Sequence, residues 1–391
     1  MVEGRSDRHT GGRIRLGMVG GGEGAFIGAV HRIAARIDDQ YTLVAGALSS
    51  TPDKARRSGE ALMLDPARVY DDYATMAKKE ARRKDGIEAV AIVTPNHMHA
   101  PVAEAFLKAG IHVICDKPVT TTLKDALKLK ALAEKKGLIF AVTHNYTGYP
   151  MVRHARQMVA DGVLGPIQLV QAEYVQDWLT TKLEDSGQKQ AGWRTDPAQS
   201  GAGGSIGDIG THAHNLARFI TGLEVEAMSA ELHSFVPGRR LDDNCQMMLR
   251  WSNGARGLLW ASQVAPGNEN ALMIRVFGTK GGIEWRQEHP NQLKVMMLGE
   301  APQVIARGTG AANAAAGRVT RVPAGHPEGY LEGFATIYNE VAQAIRAHRE
   351  GKPVDPAVVY PTIDDGIAGM AFIEAAVKSS AKGSAWVKLP G

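Results

Sequence analysis

Cysteine is nearly missing from this 391-residue chain: Cys115 and Cys245 are the two, far apart and each inside an apolar run. That scarcity excludes a disulfide framework and a cysteine metal centre, and it points to a reducing compartment. No apolar run approaches the roughly 18 residues that would span a bilayer. The opening residues, rich in Gly, Arg, Ser and His, lack the apolar core of a signal peptide. The chain is therefore expected in the cytoplasm, with no membrane partner. Aromatics amount to 6%, and no basic face interleaved with them is present, so nucleic acid is not an expected partner. Charge of neither sign prevails, since 45 Lys and Arg stand among 41 Asp and Glu. The one basic run, Lys78-Lys79 to Arg82-Arg83-Lys84, reads as a solvated helix face. What is present, 44% hydrophobic and 22% charged residues, belongs to an ordinary folded protein of about two domains.

From Ile14 onward, short apolar runs alternate with helical patterns, the signature of a parallel sheet. Strands are expected at 14–19, 42–48, 87–93, 112–115 and 139–143, with helices between them, as in a doubly wound sheet. After Tyr149 the texture changes. A helix at 151–161 and a strand at 167–176 precede a glycine-rich stretch at 201–204, after which a helix is expected. Strands then dominate at 227–235, 245–251, 255–262, 272–277 and 282–285. Turns such as Ser252-Asn253-Gly254 suit antiparallel neighbours, hence an open, mostly antiparallel sheet. Residues 299–325 read as a long loop, and helices at 330–349 and 363–380 close the chain. The fold class is α/β. The expected division is a disordered tail at 1–13, a Rossmann domain at 14–143 and a second α/β domain at 144–391.

The run Gly20-Gly21-Gly22-Glu23-Gly24-Ala25-Phe26-Ile27-Gly28 follows a strand and opens a helix. Glycines there let backbone amides approach a pyrophosphate, and a helix N-terminus favours its charge. Gly20, Gly22 and Ala25 satisfy the dinucleotide fingerprint. Gly24, Phe26 and Ile27 complete the expected loop, and Gly28 is a second candidate for the helix-packing glycine. The acid that normally ends the second strand is absent. Ser49, Ser50 and Thr51 stand there, with Lys54, Arg56 and Arg57 close behind. A carboxylate would bind the ribose of NAD and repel the extra phosphate of NADP, whereas hydroxyls and cations admit either. The expected cofactor is NAD or NADP. Thr94-Pro95-Asn96-His97 ends the third strand, on the edge where open sheets hold ligands.

Two further clusters carry chemistry. Cys115-Asp116-Lys117-Pro118 ends the next strand on the same edge, and a lysine there suits a substrate hydroxyl and a developing alkoxide. In Gly207-Asp208-Ile209-Gly210-Thr211-His212, a helix would set Asp208 and His212 one turn apart on one face. That spacing suits a base and the partner that orients it.

The glycine loop, the Asp116-Lys117-Pro118 tripeptide and the Asp208-x-Gly210-x-His212 element resemble, in this order, the Gfo/Idh/MocA oxidoreductases. The likeness runs over nearly the whole chain from Ile14. It implies an N-terminal Rossmann domain and a C-terminal α/β domain that binds substrate and forms a homodimer or homotetramer through its sheet. It also implies that Lys117 sits beside substrate and nicotinamide, with Asp116 contacting cofactor where the family most often has glutamate. His212 would be the base that takes the hydroxyl proton, its ordinary pKa of about 6.5 lying near working pH, and Asp208 would bind substrate and organise the site. No metal is required. The residues between Gly22 and Gly28 depart from the compact family loop, and Ala25 to Gly28 are expected to form an extended turn over the pyrophosphate.

Substrate contacts are expected from His144-Asn145-Tyr146, from Gln176 and Trp178, and from Trp193-Arg194. Aromatic faces suit the C–H surface of a sugar, and Gln and Arg suit its hydroxyls. The pattern resembles family members that oxidise anhydrosugars. The expected activity is oxidation of a secondary hydroxyl of a cyclic polyol, sugar or anhydrosugar. Two alternatives stay open: a glycosidase that uses tightly held NAD in a transient oxidation, and a dinucleotide-sensing regulator. A metal hydrolase built on Asp208, His212 and His214 is the poorest reading, because no further ligand cluster is evident.

Overall fold

The computed structural model describes residues 12–390. The tail expected at 1–13 lies outside these, apart from Gly12 and Arg13, and Arg13 pairs with Asp39 at 2.6 Å. Two units emerge. The first holds the chain up to Thr120, Lys124–Gly148 and Tyr330–Gly366; the second holds Thr121–Leu123, Tyr149–Gly329 and the chain from Ile367.

In the first unit, β1 (Ile14–Gly20), α1 (Phe26–Ile37), β2 (Tyr41–Ala47), α2 (Pro52–Ala61), α3 (Tyr73–Glu80), β3 (Ala89–Val93), α4 (His99–Lys108), β4 (His112–Cys115), α5 (Leu123–Lys136) and β5 (Phe140–Val142) follow in order. The five strands lie β2-β1-β3-β4-β5, and every neighbouring pair is parallel. All five residues of β3 are buried, as befits a parallel strand covered on both faces. The register sets Gly20 beside Val93, Ile92 beside Cys115 and Cys115 beside Val142. Because the strands are parallel, their carboxyl ends share one edge, and the expected cofactor motifs follow from it.

The second unit continues with α6 (Pro150–Ala160), β6 (Ile167–Val175), α7 (Lys189–Arg194), α8 (Pro197–Ser200), α9 (Thr211–Thr221), β7 (Val225–His233), β8 (Asn244–Trp251), β9 (Arg256–Ser262), β10 (Ala271–Gly278), β11 (Gly281–Arg286), β12 (Gln292–Met297), β13 (Gln303–Ala306) and α10 (Ala314–Val319). The chain then returns to the first unit with α11 (Tyr330–Arg349), and closes with α12 (Ile363–Ser380) and β14 (Val387–Lys388). Nine strands form one sheet, β13-β12-β11-β10-β6-β9-β8-β7-β14. Within it β6 and β9 pair in parallel and the rest antiparallel. Along β8, Cys245, Met247, Leu249 and Trp251 are buried while Met248 and Arg250 face outward. That alternation marks a sheet with one packed face.

Two expectations change here. Residues 330–366 belong with the Rossmann unit rather than with a second domain running unbroken from 144. Phe334, Ile337, Tyr338, Val341 and Ile345 of α11 share one core with Leu16, Met18, Val30 and Ala34, and the Tyr41 hydroxyl donates to the Tyr338 carbonyl at 2.9 Å. Residues 299–325 are not a featureless loop, since they contain β13 and α10. The buried Arg307 guanidinium anchors them, pairing with Glu328 at 3.0 Å and donating to the Val322 carbonyl at 2.6 Å.

Candidate active site

The glycine loop is shaped by close approaches. A Cβ on Gly20 would stand 2.8 Å from the Val93 carbonyl oxygen, and one on Gly22 would stand 2.7 Å from that of Leu48. Gly20, Gly21 and Gly24 adopt φ of +79°, +71° and +73°, a region that glycine enters without steric cost. Gly28 decides the packing question. Its Cβ would lie 2.4 Å from the Gly21 Cα, so Gly28 is the residue that lets α1 approach β1. Ala25 is the N-cap and α1 begins at Phe26. The extended turn expected over 25–28 is therefore helical from Phe26 onward, which aims the first-turn amides at the loop mouth.

At the end of β2, the Gly22 amide donates to the Leu48 carbonyl at 3.2 Å, and the Glu23 amide donates to Ser58 Oγ at 3.0 Å. Ser49 Oγ accepts from the Thr51 amide at 3.1 Å, and Ser50 is exposed. The basic neighbours already face acids: Arg56 pairs with Asp53, and Arg57 lies 3.4 Å from Glu23. Lys54 is half-buried within α2.

Beyond β3, Asn96, His97 and Met98 form one turn of 3₁₀ helix capped by Pro95. Asn96 is buried and His97 is exposed. The sequence reading passed over His99, which links two of the motifs. Its buried ring spans the Pro118 carbonyl (Nδ1, 2.7 Å) and the Thr94 carbonyl (Nε2, 2.9 Å). Burial pulls its proton affinity below that of an ordinary histidine. The Asp116 carboxylate turns inward on its own loop, accepting from the Lys117 amide and from Thr143 Oγ1, each at 2.9 Å. Asp116 therefore shapes the turn that presents Lys117, and the Lys117–Pro118 peptide is cis. Cys115, behind it, is buried, and burial pushes its thiol well up. Asn145 and Tyr146 lie buried in a 3₁₀ turn, Tyr146 tilted against Tyr330 with ring centres 6.5 Å apart.

In the second unit, Ile206–Gly210 form a π-helical turn that runs directly into α9, so Asp208 and His212 share one continuous helix. Asp242 caps its start. The Gly204 amide donates to Oδ1 at 2.6 Å, and Ser205 Oγ and the Ile206 amide donate to Oδ2 at 2.7 and 2.8 Å. The His212 ring is buried and tilted against Tyr174, centres 6.1 Å apart. Asp208 Oδ2 accepts from the Gln263 amide at 2.8 Å and lies 3.3 Å from Arg194 Nε. Arg194 in turn lies over the Trp193 ring, 4.2 Å from its centre. Arg194, Trp193 and Asp208 thus lie together, and Gln263, which no motif marks, joins them.

Gln176 and Trp178 also meet, Trp178 Nε1 donating to Gln176 Oε1 at 3.1 Å. Asn270, which no motif marks, holds Gln176 from the other side. Its Oδ1 accepts from Gln176 Nε2 and from the Tyr174 hydroxyl, both at 2.7 Å. His214, the third member of the metal reading, stacks on Phe372 at 4.1 Å, and no group of three metal-ligating side chains occurs among the described residues. No helix among them is long and apolar enough to cross a membrane.

The loop geometry selects a dinucleotide, and the comparisons with known proteins agree. Residues 14–144 match the oxidoreductase family with an NAD-binding Rossmann fold, and residues 152–284 match the GFO/IDH/MocA C-terminal domain. The chain belongs to the Gfo/Idh/MocA oxidoreductases. An oxidoreductase from Sinorhizobium meliloti is 58% identical, with 96% of this chain and 99% of that one covered and a TM-score of 0.88. An inositol dehydrogenase homolog from Azotobacter vinelandii, crystallised with NAD+, is 37% identical over 97% of this chain and 98% of its own, with a TM-score of 0.93. The levoglucosan dehydrogenase of Pseudarthrobacter phenanthrenivorans is 28% identical over 96% of this chain and 98% of its own. As a Gfo/Idh/MocA member with this glycine cradle, the chain is an NAD-binding oxidoreductase.

Proposed function

We propose that this oxidoreductase is a dehydrogenase that oxidises a secondary hydroxyl of a cyclic polyol, sugar or anhydrosugar. The observation that carries the reading is the pairing of motifs: Lys117 on the ligand-binding edge of an NAD-binding sheet, and Asp208 with His212 on one helix of the second unit. When bound, the nicotinamide supplies the hydride acceptor. His212 accepts the hydroxyl proton at a ring nitrogen. Lys117 donates a hydrogen bond to the reacting oxygen and stabilises its developing charge. Asp208 receives a substrate hydroxyl and orients the site. Trp178 and Trp193 offer ring faces to the sugar, with Gln176 and Arg194 as polar contacts. Relatives named inositol 2-dehydrogenase and levoglucosan dehydrogenase support this substrate class.

Arg56 and Arg57, each matched by an acid, support NAD over NADP as the working cofactor. Leu169, Met248 and Leu258 are about half exposed on one face of the nine-stranded sheet, which supports homo-oligomer formation through that face. Two buried free cysteines suit a cytoplasmic location.

The test is direct. Purified protein is incubated with NAD or NADP and a panel of inositols, aldoses and anhydrosugars while reduced cofactor is followed by absorbance. Reduction with one panel member is the expected result. Cleavage of glycosides without net reduction would establish the glycosidase alternative, and cofactor binding with neither reaction would favour the sensor. His212→Ala and Lys117→Ala should each lower kcat by about 10² to 10⁴, the usual contribution of a positioned acid or base, with NAD affinity nearly kept. Unchanged turnover in either variant removes that residue from the chemistry.

A further inference from the structure

Asp208 is held by a residue that carries no motif. Gln263 follows β9 directly, 55 positions further along the chain. Its backbone is fixed on both sides: its amide donates to the Asp243 carbonyl at 2.8 Å, and its carbonyl accepts from the Leu179 amide at 3.0 Å. Its side chain is buried, with 2% of the residue exposed. The amide nitrogen donates to Asp208 Oδ2 at 2.8 Å, and Arg194 Nε lies 3.3 Å from the same oxygen. A carboxylate accepts only, so the donor end of the Gln263 amide is the end that faces Asp208. The Gln263 hydrogen bond orients the carboxylate, and that bond and the neighbouring Arg194 charge both favour the anion over the acid.

We propose that Gln263 is a positioning residue for Asp208: its buried amide, together with Arg194, holds the carboxylate in one orientation and favours its anionic form. The inference rests on the reading of Asp208 as a substrate-binding group. The charged and titratable groups of the second unit around this contact include Arg194 from α7, His212 one turn further along the helix, and Asp243, whose own carboxylate pairs with Arg239 at 3.1 Å.

Gln263→Glu tests the contact with almost no change of shape. It sets a second carboxylate against Asp208, and two carboxylates so close share a proton, which raises the pair's apparent pKa. A carboxyl group whose folded pKa is raised destabilises the folded state as pH rises past its unfolded value. The melting temperature of Gln263→Glu should therefore fall behind wild type by about 2 °C or more at about pH 8 than it does at about pH 5. Asp208→Asn in the same chain should shrink that growth to the part that burial of the glutamate alone contributes. A deficit of equal size at both pH values, or a growth that Asp208→Asn leaves undiminished, overturns the inference.

Gln263→Leu gives a second readout and carries the test should the glutamate variant not fold. With myo-inositol or levoglucosan as substrate, KM should rise about tenfold while kcat falls by less than about threefold, because Asp208 receives a substrate hydroxyl and loses the contact that orients it, with NAD affinity unchanged. An unchanged KM, or a loss confined to kcat, overturns the inference. The two failures separate cleanly. Full turnover in Asp208→Asn removes the functional reading while the stability cycle still reports on the contact. Lost turnover in Asp208→Asn, with no coupling to Gln263, removes Gln263 alone.

Discussion

Glu80 belongs to no motif, yet four groups meet on its carboxylate. Arg68 grips it with both Nε and Nη2, the Tyr70 hydroxyl donates at 2.7 Å and the Ile87 amide at 3.1 Å. The Arg68 and Glu80 side chains are 7% and 0% exposed. Burial and then the carboxylate push the Tyr70 phenol up to about 12. Removing one partner of a buried pair strands the other, at a cost of about 3–5 kcal/mol. Glu80→Ala should lose stability of that order in urea denaturation, and a loss under about 1 kcal/mol would show that Arg68 finds water instead. The same residue scale shows what was legible. Gly20, Lys117, Asp208 and His212 stood out because each sits in a short motif with fixed spacing. Glu80, Asp242, Gln263 and Asn270 did not, because a single acid or amide at a strand end is ordinary until its partner arrives from tens of residues away. Asp242, for example, caps amides 36 and 38 positions earlier in the chain.

At the scale of elements, the alternation of apolar runs and helical patterns was enough to place all five parallel strands and most of the antiparallel ones, since period and length are local properties. The glycine loop was harder. Extra residues after Gly22 read as an extended turn, and only the Gly21–Gly28 approach shows that the helix begins at Phe26 and packs through Gly28. The obstacle to a side chain there is backbone, not the end of a flexible neighbour. Gly28→Ala must push α1 away from β1, and overpacking of this kind costs about 1–3 kcal/mol. NAD affinity should fall by about tenfold, because the first-turn amides move with the helix. Gly24→Ala is the contrast. Its Cβ would meet nothing within 4 Å, and the only penalty is the φ of +73°, about 1 kcal/mol. Fluorescence titration with NADH and thermal melts of both variants distinguish the cases. A Gly28→Ala protein that binds as wild type would show that another residue sets the helix–strand distance.

At the scale of the whole molecule, the chain leaves the Rossmann unit near residue 149 and comes back to it at 330. An amphipathic helix announces which of its faces is buried but not which sheet will bury it, so α11 gave no sign of its destination. Its return makes the unit sensitive to acid. His31 is fully buried, its Nδ1 2.8 Å from the Tyr338 hydroxyl of α11. His112 is also buried, and its Nδ1 accepts from the Ile139 amide at 3.0 Å. Burial lowers each to about 4, against about 6.5 in the unfolded chain. A histidine with a depressed folded pKa contributes its full stability above the unfolded value, and that contribution is lost as pH falls from about 6.5 toward about 4. The loss runs at roughly 1.4 kcal/mol per pH unit per group, so about 3 kcal/mol for each across the window. Protonation of His112 is doubly unfavourable, because a proton on Nδ1 would face the Ile139 N–H. His112→Asn keeps an acceptor for that amide and removes the titration. Thermal melts of the NAD-free protein between about pH 7.5 and about pH 4.5 should then fall less steeply in the variant than in wild type. Equal slopes would mean that His112 binds its proton as readily in the folded as in the unfolded chain, and the acid sensitivity would have to be assigned to His31 and the carboxylates.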